Sequence, residues 1–151
     1  MFQESCVLVP GPELLFELGP QMPELFIEPG RSLVGDAGIL TAEVVNIAKK
    51  ARLDIVDWVY LDVGVFGGLI ETLGEAIKYP IYTEKNDPGH EVILAGPTCD
   101  EVDIMYQNFR YSMPDNLLPG DRVYFLSTGA YTTSYSSIEF NGFPPLKTYF
   151  I

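Results

Sequence analysis

Three short strings in this chain hold side chains whose types and spacing could do chemistry. The first is Glu28-Pro29-Gly30-Arg31, a carboxylate and a guanidinium on either side of a turn, directly after the apolar Leu25-Phe26-Ile27. Gly30 would let the backbone approach a ligand closely, and the planar fork of Arg31 suits a phosphate. Glu28 would stand at a strand's end, a common place for a functional carboxylate. The second string is Gly96-Pro97-Thr98-Cys99-Asp100-Glu101-Val102-Asp103. Thr98 or Asp100 would cap a short helix with Glu101 and Asp103 in its first turn. Cys99 would then sit at the positive end of the helix dipole, which favours thiolate, while the adjacent carboxylates oppose it. The third is Gly129-Ala130-Tyr131-Thr132, followed by Phe140-Asn141-Gly142-Phe143. Aromatics beside glycines can wall a flat ligand. Taken singly, each string has a simpler reading: a turn beside an ion pair, a buried cysteine before a capped helix, and aromatic core.

The elements that would position these strings are mostly strands. Residues 1 to about 23 are broken by Pro10, Gly11, Pro12, Gly19, Pro20 and Pro23, leaving at most a turn of helix at Glu13 to Leu18. Leu25-Phe26-Ile27 reads as a buried strand. Ile39 to Ala48 is long enough for helix or strand, and Val44, Val45 and Ile47 lean it to strand. Ile55 to Val63 is the clearest strand, followed by Gly64, Gly67 and Gly68 in a tight loop. Leu69 to Ala76 reads as a short helix with Glu71 and Glu75 on one face. Further strands are expected at Glu91 to Ala95, at Arg122 to Ser127 after the turn Pro119-Gly120-Asp121, and at Lys147 to Ile151. The class is therefore mainly β, a barrel or sandwich.

Composition narrows the partners. The 151 residues carry a formal charge of −12, which speaks against nucleic acid and against an anionic membrane surface. A cationic small molecule suits that field, although acidic surfaces also serve solubility alone. Cys6 and Cys99 are too few for a disulfide framework, so reduced thiols in the cytoplasm are expected. The start has no basic leader, and no apolar stretch approaches the ~18 residues that span a bilayer.

Taken together and in this order, the three strings resemble the pyridoxal-phosphate-dependent ornithine/lysine decarboxylase family. Asp62-Val63-Gly64 through Phe66-Gly67-Gly68-Leu69 to Glu75 and Tyr79-Pro80-Ile81 resembles its bacterial members in particular. The resemblance runs from about Leu25 to the C-terminus. It implies the C-terminal β-barrel/sandwich domain of the alanine racemase/ornithine decarboxylase-like fold, over residues 37–151. Residues 1–36 would be the end of a truncated (β/α)8 barrel, its last strand and the loop for the cofactor's phosphate.

The roles that follow are those the resemblance implies. Pyridoxal 5′-phosphate would be the cofactor, with Glu28 on its ring nitrogen and Gly30, Arg31 and Tyr131 at its phosphate. Cys99 would return a proton after CO2 leaves, acting in the partner's site of a head-to-tail homodimer. Asp100 would receive the distal ammonium of a basic amino acid. Glu75 matches a second acidic position where eukaryotic members carry Asp, and Phe66 stands where they usually have Tyr. No metal is implied. The family's cofactor-binding lysine lies in the barrel, and none of Lys49, Lys50, Lys78, Lys85 or Lys147 sits in its motif. His90, in a polar turn, reads as a surface residue. Asp100 and Phe140-Asn141-Gly142-Phe143 disfavour the diaminopimelate branch of the fold. A decarboxylase portion making putrescine from ornithine, or acting on lysine, is thus set against a truncated, non-catalytic interaction protein.

Overall fold

The computed structural model describes Phe26 and residues 28–151. The helical turn expected at Glu13 to Leu18 and most of the strand expected at Leu25 to Ile27 lie outside those residues. Within them the chain is mainly β, as expected. Six strands form one sheet: β1 (Ile39–Ala48), β2 (Asp57–Leu61), β3 (Ile81–Thr83), β4 (Gly89–Ala95), β5 (Ile104–Pro114) and β6 (Arg122–Leu126). Their order across the sheet is β3-β6-β1-β2-β4-β5. Only β2 and β4 run parallel; the other neighbours are antiparallel.

β1 settles its helix-or-strand ambiguity through its neighbours. Residues Ile39 to Glu43 pair with β6 and Val44 to Ala48 with β2, and the register shifts between Val44 and Asn46. One strand therefore hands over from one neighbour to the next, with Leu40, Ala42 and Val44 facing inward. The main core gathers those three with Val59, Leu61, Val92, Leu94, Met105, Val123 and Phe125. Burying a side chain of this size contributes about 1.5–3 kcal/mol. β2 and β4 are covered on both faces. Trp58, Ile93 and Ala95 form a second cluster with Val56, Tyr60 and Ile104 around it, and Lys50 Nζ sits 3.5 Å from the Trp58 ring centre. Strands buried on both faces read as near-continuous apolar runs, which is why Ile55 to Val63 was so plain in the sequence.

Several expectations give way. No helix follows Thr98: the segment is a turn, and β5 begins at Ile104. The expected helix at Leu69 to Ala76 is instead a 3-10 segment over Ile70–Glu75, broken where Leu73 is extended and Gly74 is left-handed (φ 62°). That break turns Glu71 and Glu75 away from a common face. Lys147 to Ile151 is not a strand, because no neighbour among the described residues offers it a ladder and Pro144 and Pro145 donate no hydrogen bonds before it. β5 and β3 went unread. In β5 the polar Gln107, Asn108 and Arg110 break the alternation, because a bulge lies there: Val92 pairs with Tyr111 but Leu94 with Tyr106.

His90 is exposed, as expected, yet it is not idle. Its Nδ1 lies 2.7 Å from Asp115 Oδ1 and its Nε2 2.9 Å from Asp57 Oδ2, tying the start of β4 to β2 and to the turn after β5. The hydrogen bond to Asp115, and then Asp57, hold the imidazole pKa above 6.5 despite partial desolvation. A raised folded-state pKa gives stability that is full below the unfolded value of about 6.5 and is lost as pH rises through the folded one. His90→Gln should therefore lower the urea midpoint at about pH 5.5 more than at about pH 9. Equal losses at both would mean that the bridge carries no charge-dependent stability.

Candidate functional site

Two groups of side chains line one continuous stretch of the fold. The first forms around a short helix, α1 (Arg31–Val34), and the 3-10 turn Gly35–Ala37. These pack against the end of β6 by backbone bonds, Thr128 N–H to Gly38 O at 2.9 Å and Gly129 N–H to Gly35 O at 2.8 Å. A Cβ on Gly129 would overlap the Val34 carbonyl, so only glycine allows this approach. Two residues on, Tyr131 takes a left-handed φ of 56° and lays its hydroxyl against Gly30, where an added Cβ would come within 2.8 Å of it. The Arg31 guanidinium carbon lies 5.5 Å from the Tyr131 ring centre and 5.9 Å from that of Tyr79. Gly30, Arg31 and Tyr131 are thus brought together, with Glu28 exposed beside them.

Arg31 has a partner that sequence reasoning missed. Its Nη2 donates to Glu71 Oε2, and the Tyr79 hydroxyl reaches the same oxygen at 3.3 Å. Nη1 is buried and has no acceptor among the described residues. Burial alone would lower the pKa of the guanidinium, but the Glu71 and Tyr79 bonds outweigh it and hold it above its ordinary value. Tyr79 is itself pinned by β5: its N–H donates to Tyr106 Oη at 3.1 Å, and its carbonyl accepts from the Tyr111 hydroxyl at 2.6 Å. The Tyr106 hydroxyl also donates to Ile77 O at 2.9 Å.

The second group hangs on Asp103, which is only 2% exposed. Its Oδ1 accepts from Val65 N–H at 2.8 Å. Its Oδ2 accepts from Thr98 N–H at 3.0 Å and from the Thr98 hydroxyl at 2.7 Å. Gly64 and Gly96 flank the carboxylate so closely that a Cβ on either would collide with it. One buried carboxylate therefore binds the loop that carries Phe66 to the loop that carries Cys99 and Asp100. Cys99 is exposed. Asp100 Oδ1 accepts from Val102 N–H at 2.8 Å, a local turn. Phe66 stacks on Phe140 at 4.1 Å between ring centres, and its carbonyl accepts from Ser137 N–H at 2.8 Å. The tail that starts at Tyr131 thus runs from the first group to the second. No hydrogen bond joins Cys99 or Asp100 to Arg31 among the described residues.

Glu75 does not stand open beside Asp100. Its Oε1 accepts from Gln107 N–H at 2.8 Å and Asn108 N–H at 2.5 Å, and its Oε2 from Phe109 N–H at 3.0 Å. Desolvation would raise this carboxyl, but the three donors together outweigh it and hold the pKa below its ordinary value. The Glu75 carboxylate caps the β5 bulge. The sequence held no sign of this, because the three amides belong to a strand it did not disclose. For the Asp103 clasp the expected outcome is concrete: Asp103→Asn sets an amide N–H against backbone donors and should cost about 2–3 kcal/mol of stability in urea unfolding. A loss below about 0.5 kcal/mol would mean that the two loops hold without it.

Comparison with known proteins places this geometry. Residues 27–129 match the family model described as the pyridoxal-dependent decarboxylase C-terminal sheet domain. The diaminopimelate decarboxylase of Staphylococcus aureus is 35% identical over 121 residues, 80% of this chain and 28% of that protein. The lysine/ornithine decarboxylase of Selenomonas ruminantium is 30% identical over 119 residues, 79% of this chain and 28% of that protein. Among solved structures, the lysine/ornithine decarboxylase of Vibrio vulnificus complexed with cadaverine superposes with a TM-score of 0.73 at 31% identity, covering 91% of this chain and 36% of that one. The chain therefore spans about a third or less of these relatives. On the match across most of its length and the likeness of its sheet, the chain belongs to the pyridoxal-dependent decarboxylase family, whose C-terminal sheet domain it carries.

Proposed function

We propose that this chain is the C-terminal portion of a cytoplasmic decarboxylase that converts ornithine to putrescine for polyamine synthesis, with lysine as the second substrate. In this reading residues 1–36 close a (β/α)8 barrel and residues 37–151 form the sheet domain. The observation that carries it is the Asp103 clasp, which holds an exposed thiol and its neighbouring carboxylate on an anchored loop. A loop built to stay still while presenting Cys99 and Asp100 outward suits a head-to-tail homodimer, in which each subunit completes the other's site. The net charge of −12 favours a cationic substrate over an anionic one.

The residues present fit the cofactor's phosphate end. Arg31 offers a buried donor without an acceptor among the described residues, and Tyr131 brings its hydroxyl against the Gly30 backbone. Pyridoxal phosphate, when bound, supplies the electron sink that lets the bond to the carboxylate break. Arg31 and Tyr131 would hold the phosphate, and Glu28 would favour the protonated form of the ring nitrogen. Cys99 Sγ delivers the proton that replaces CO2 on the substrate's α-carbon. Asp100 takes the distal ammonium with the carboxylate oxygen that Val102 leaves unpaired. Glu75 and Phe66 stand at the substrate positions that the resemblance implies, Glu75 committed in this chain to the β5 bulge and Phe66 without the hydroxyl of a tyrosine.

Two variants test these roles with the family's barrel portion supplied upstream. An ammonium held by charge-assisted bonds gains about 1.5–3 kcal/mol for each. Asp100→Asn should therefore lower kcat/KM for ornithine and lysine roughly tenfold or more while cofactor affinity holds. Equal loss on a neutral amino acid of similar length would assign Asp100 to the fold. Cys99→Ala should reduce kcat and divert product by protonation at the wrong atom, with KM little changed. A variant that raised KM alone would make Cys99 structural, and no turnover by any version would favour a non-catalytic interaction protein.

A further inference from the structure

We propose that Glu71, braced by Tyr79, is the positioning residue for Arg31: it holds one end of the guanidinium so that Nη1 is presented to a phosphate. The inference rests on the reading of Arg31 as the phosphate ligand and adds what makes that arginine competent. A guanidinium on a flexible stem loses rotamer freedom whenever it is fixed on a ligand, so a partner that fixes it beforehand lowers that cost. The geometry has this form. Nη2 is bonded to Glu71 Oε2, the Tyr79 hydroxyl shares that oxygen, and the faces of Tyr79 and Tyr131 lie 5.9 and 5.5 Å from the guanidinium carbon. Nη1 alone is both buried and without an acceptor among the described residues. Behind the pair, Tyr106 and Tyr111 hold the backbone of Tyr79 from both sides.

The opposite role is also physical. A carboxylate at the far end of the guanidinium from a phosphate repels the anion, and Glu71 could simply compete for Arg31. The two roles predict opposite signs. Competition makes every loss of the Glu71 charge tighten phosphate binding. Positioning makes the loss of the acceptor weaken it and lets a neutral acceptor restore it.

The probe is pyridoxamine 5′-phosphate, which forms no imine with lysine, titrated into the 151-residue chain by phosphorus NMR with pyridoxamine as the phosphate-free control. Glu71→Ala should weaken the phosphate-dependent affinity about tenfold, Glu71→Gln should stay within about threefold of the parent, and Tyr79→Phe should fall between. Without ligand, nitrogen-15 spectra of the parent should resolve separate Arg31 Nη signals, because rotation about its Cζ–N bonds is hindered, and these should merge in Glu71→Ala. Backbone amide spectra of each variant confirm that the fold is kept. Unchanged or tighter binding in Glu71→Ala, or merged Nη signals in the parent, would overturn the positioning role while leaving Arg31 as the ligand. Unaltered binding in Arg31→Gln, or equal affinity for the probe and its control, would instead remove the phosphate reading, and the inference with it.

Discussion

The buried carboxylate of Asp103 is the interaction on which the arrangement of this domain depends. It takes three hydrogen bonds from two loops far apart in sequence, Val65 on one and Thr98 on the other. A carboxyl group cut off from water is tolerable only when it is hydrogen-bonded, and here its partners are two backbone N–H groups and a hydroxyl. The same bonds that satisfy it fix the loops. Gly64 and Gly96 are glycines because the carboxylate occupies the space their side chains would need. The position of Cys99 and Asp100 relative to Phe66 is thus decided by Asp103, buried between their loops.

A second constraint comes from β5, the longest strand and an edge of the sheet. An edge strand with a bulge leaves amide groups unpaired, a liability for any sheet. Glu75 closes it by accepting from three successive amides. Tyr106 and Tyr111 on the same strand hold the Ile77 to Tyr79 segment, and Tyr79 in turn reaches Glu71. The irregular strand therefore carries order from the sheet edge to the Arg31 cluster. Capping a strand edge and bracing an arginine both require the broken 3-10 segment at Ile70–Glu75, whose left-handed Gly74 sends its two glutamates in different directions.

The close packing of α1 on the end of β6 completes the picture. Gly38 and Gly129 meet back to back, which brings Tyr131 over a residue a hundred positions earlier. The tail then crosses to Phe66 through Ser137 and Phe140. The two groups of candidate residues are linked by backbone contacts and by the stack of Phe140 on Phe66.

Local pattern alone determined the mainly β class, the placement of β2, β4 and β6, and the chemical character of the three strings, while it only leaned β1 to strand. Those features depend on neighbours in sequence: alternation, β-branching, and turns at proline and glycine. The grouping of Gly30, Arg31 and Tyr131 was also legible, but through family resemblance. Only the tertiary structure decided the partners of Glu71, Glu75, His90 and Asp103. Each has at least one partner 25 to 40 residues away, so no local window holds that end, although Asp103 also takes two bonds from Thr98 five residues before it. Spacing put Glu71 and Glu75 on one helical face, and a break at extended Leu73 and left-handed Gly74 and Glu75 sent them to Arg31 and to β5. β5 stayed hidden for a related reason: the polar residues that broke its alternation make sense only once Glu75 and the bulge are in place. The final segment shows the reverse case, where strand-forming residues at Lys147 to Ile151 form no strand because a strand exists only with a partner to pair with.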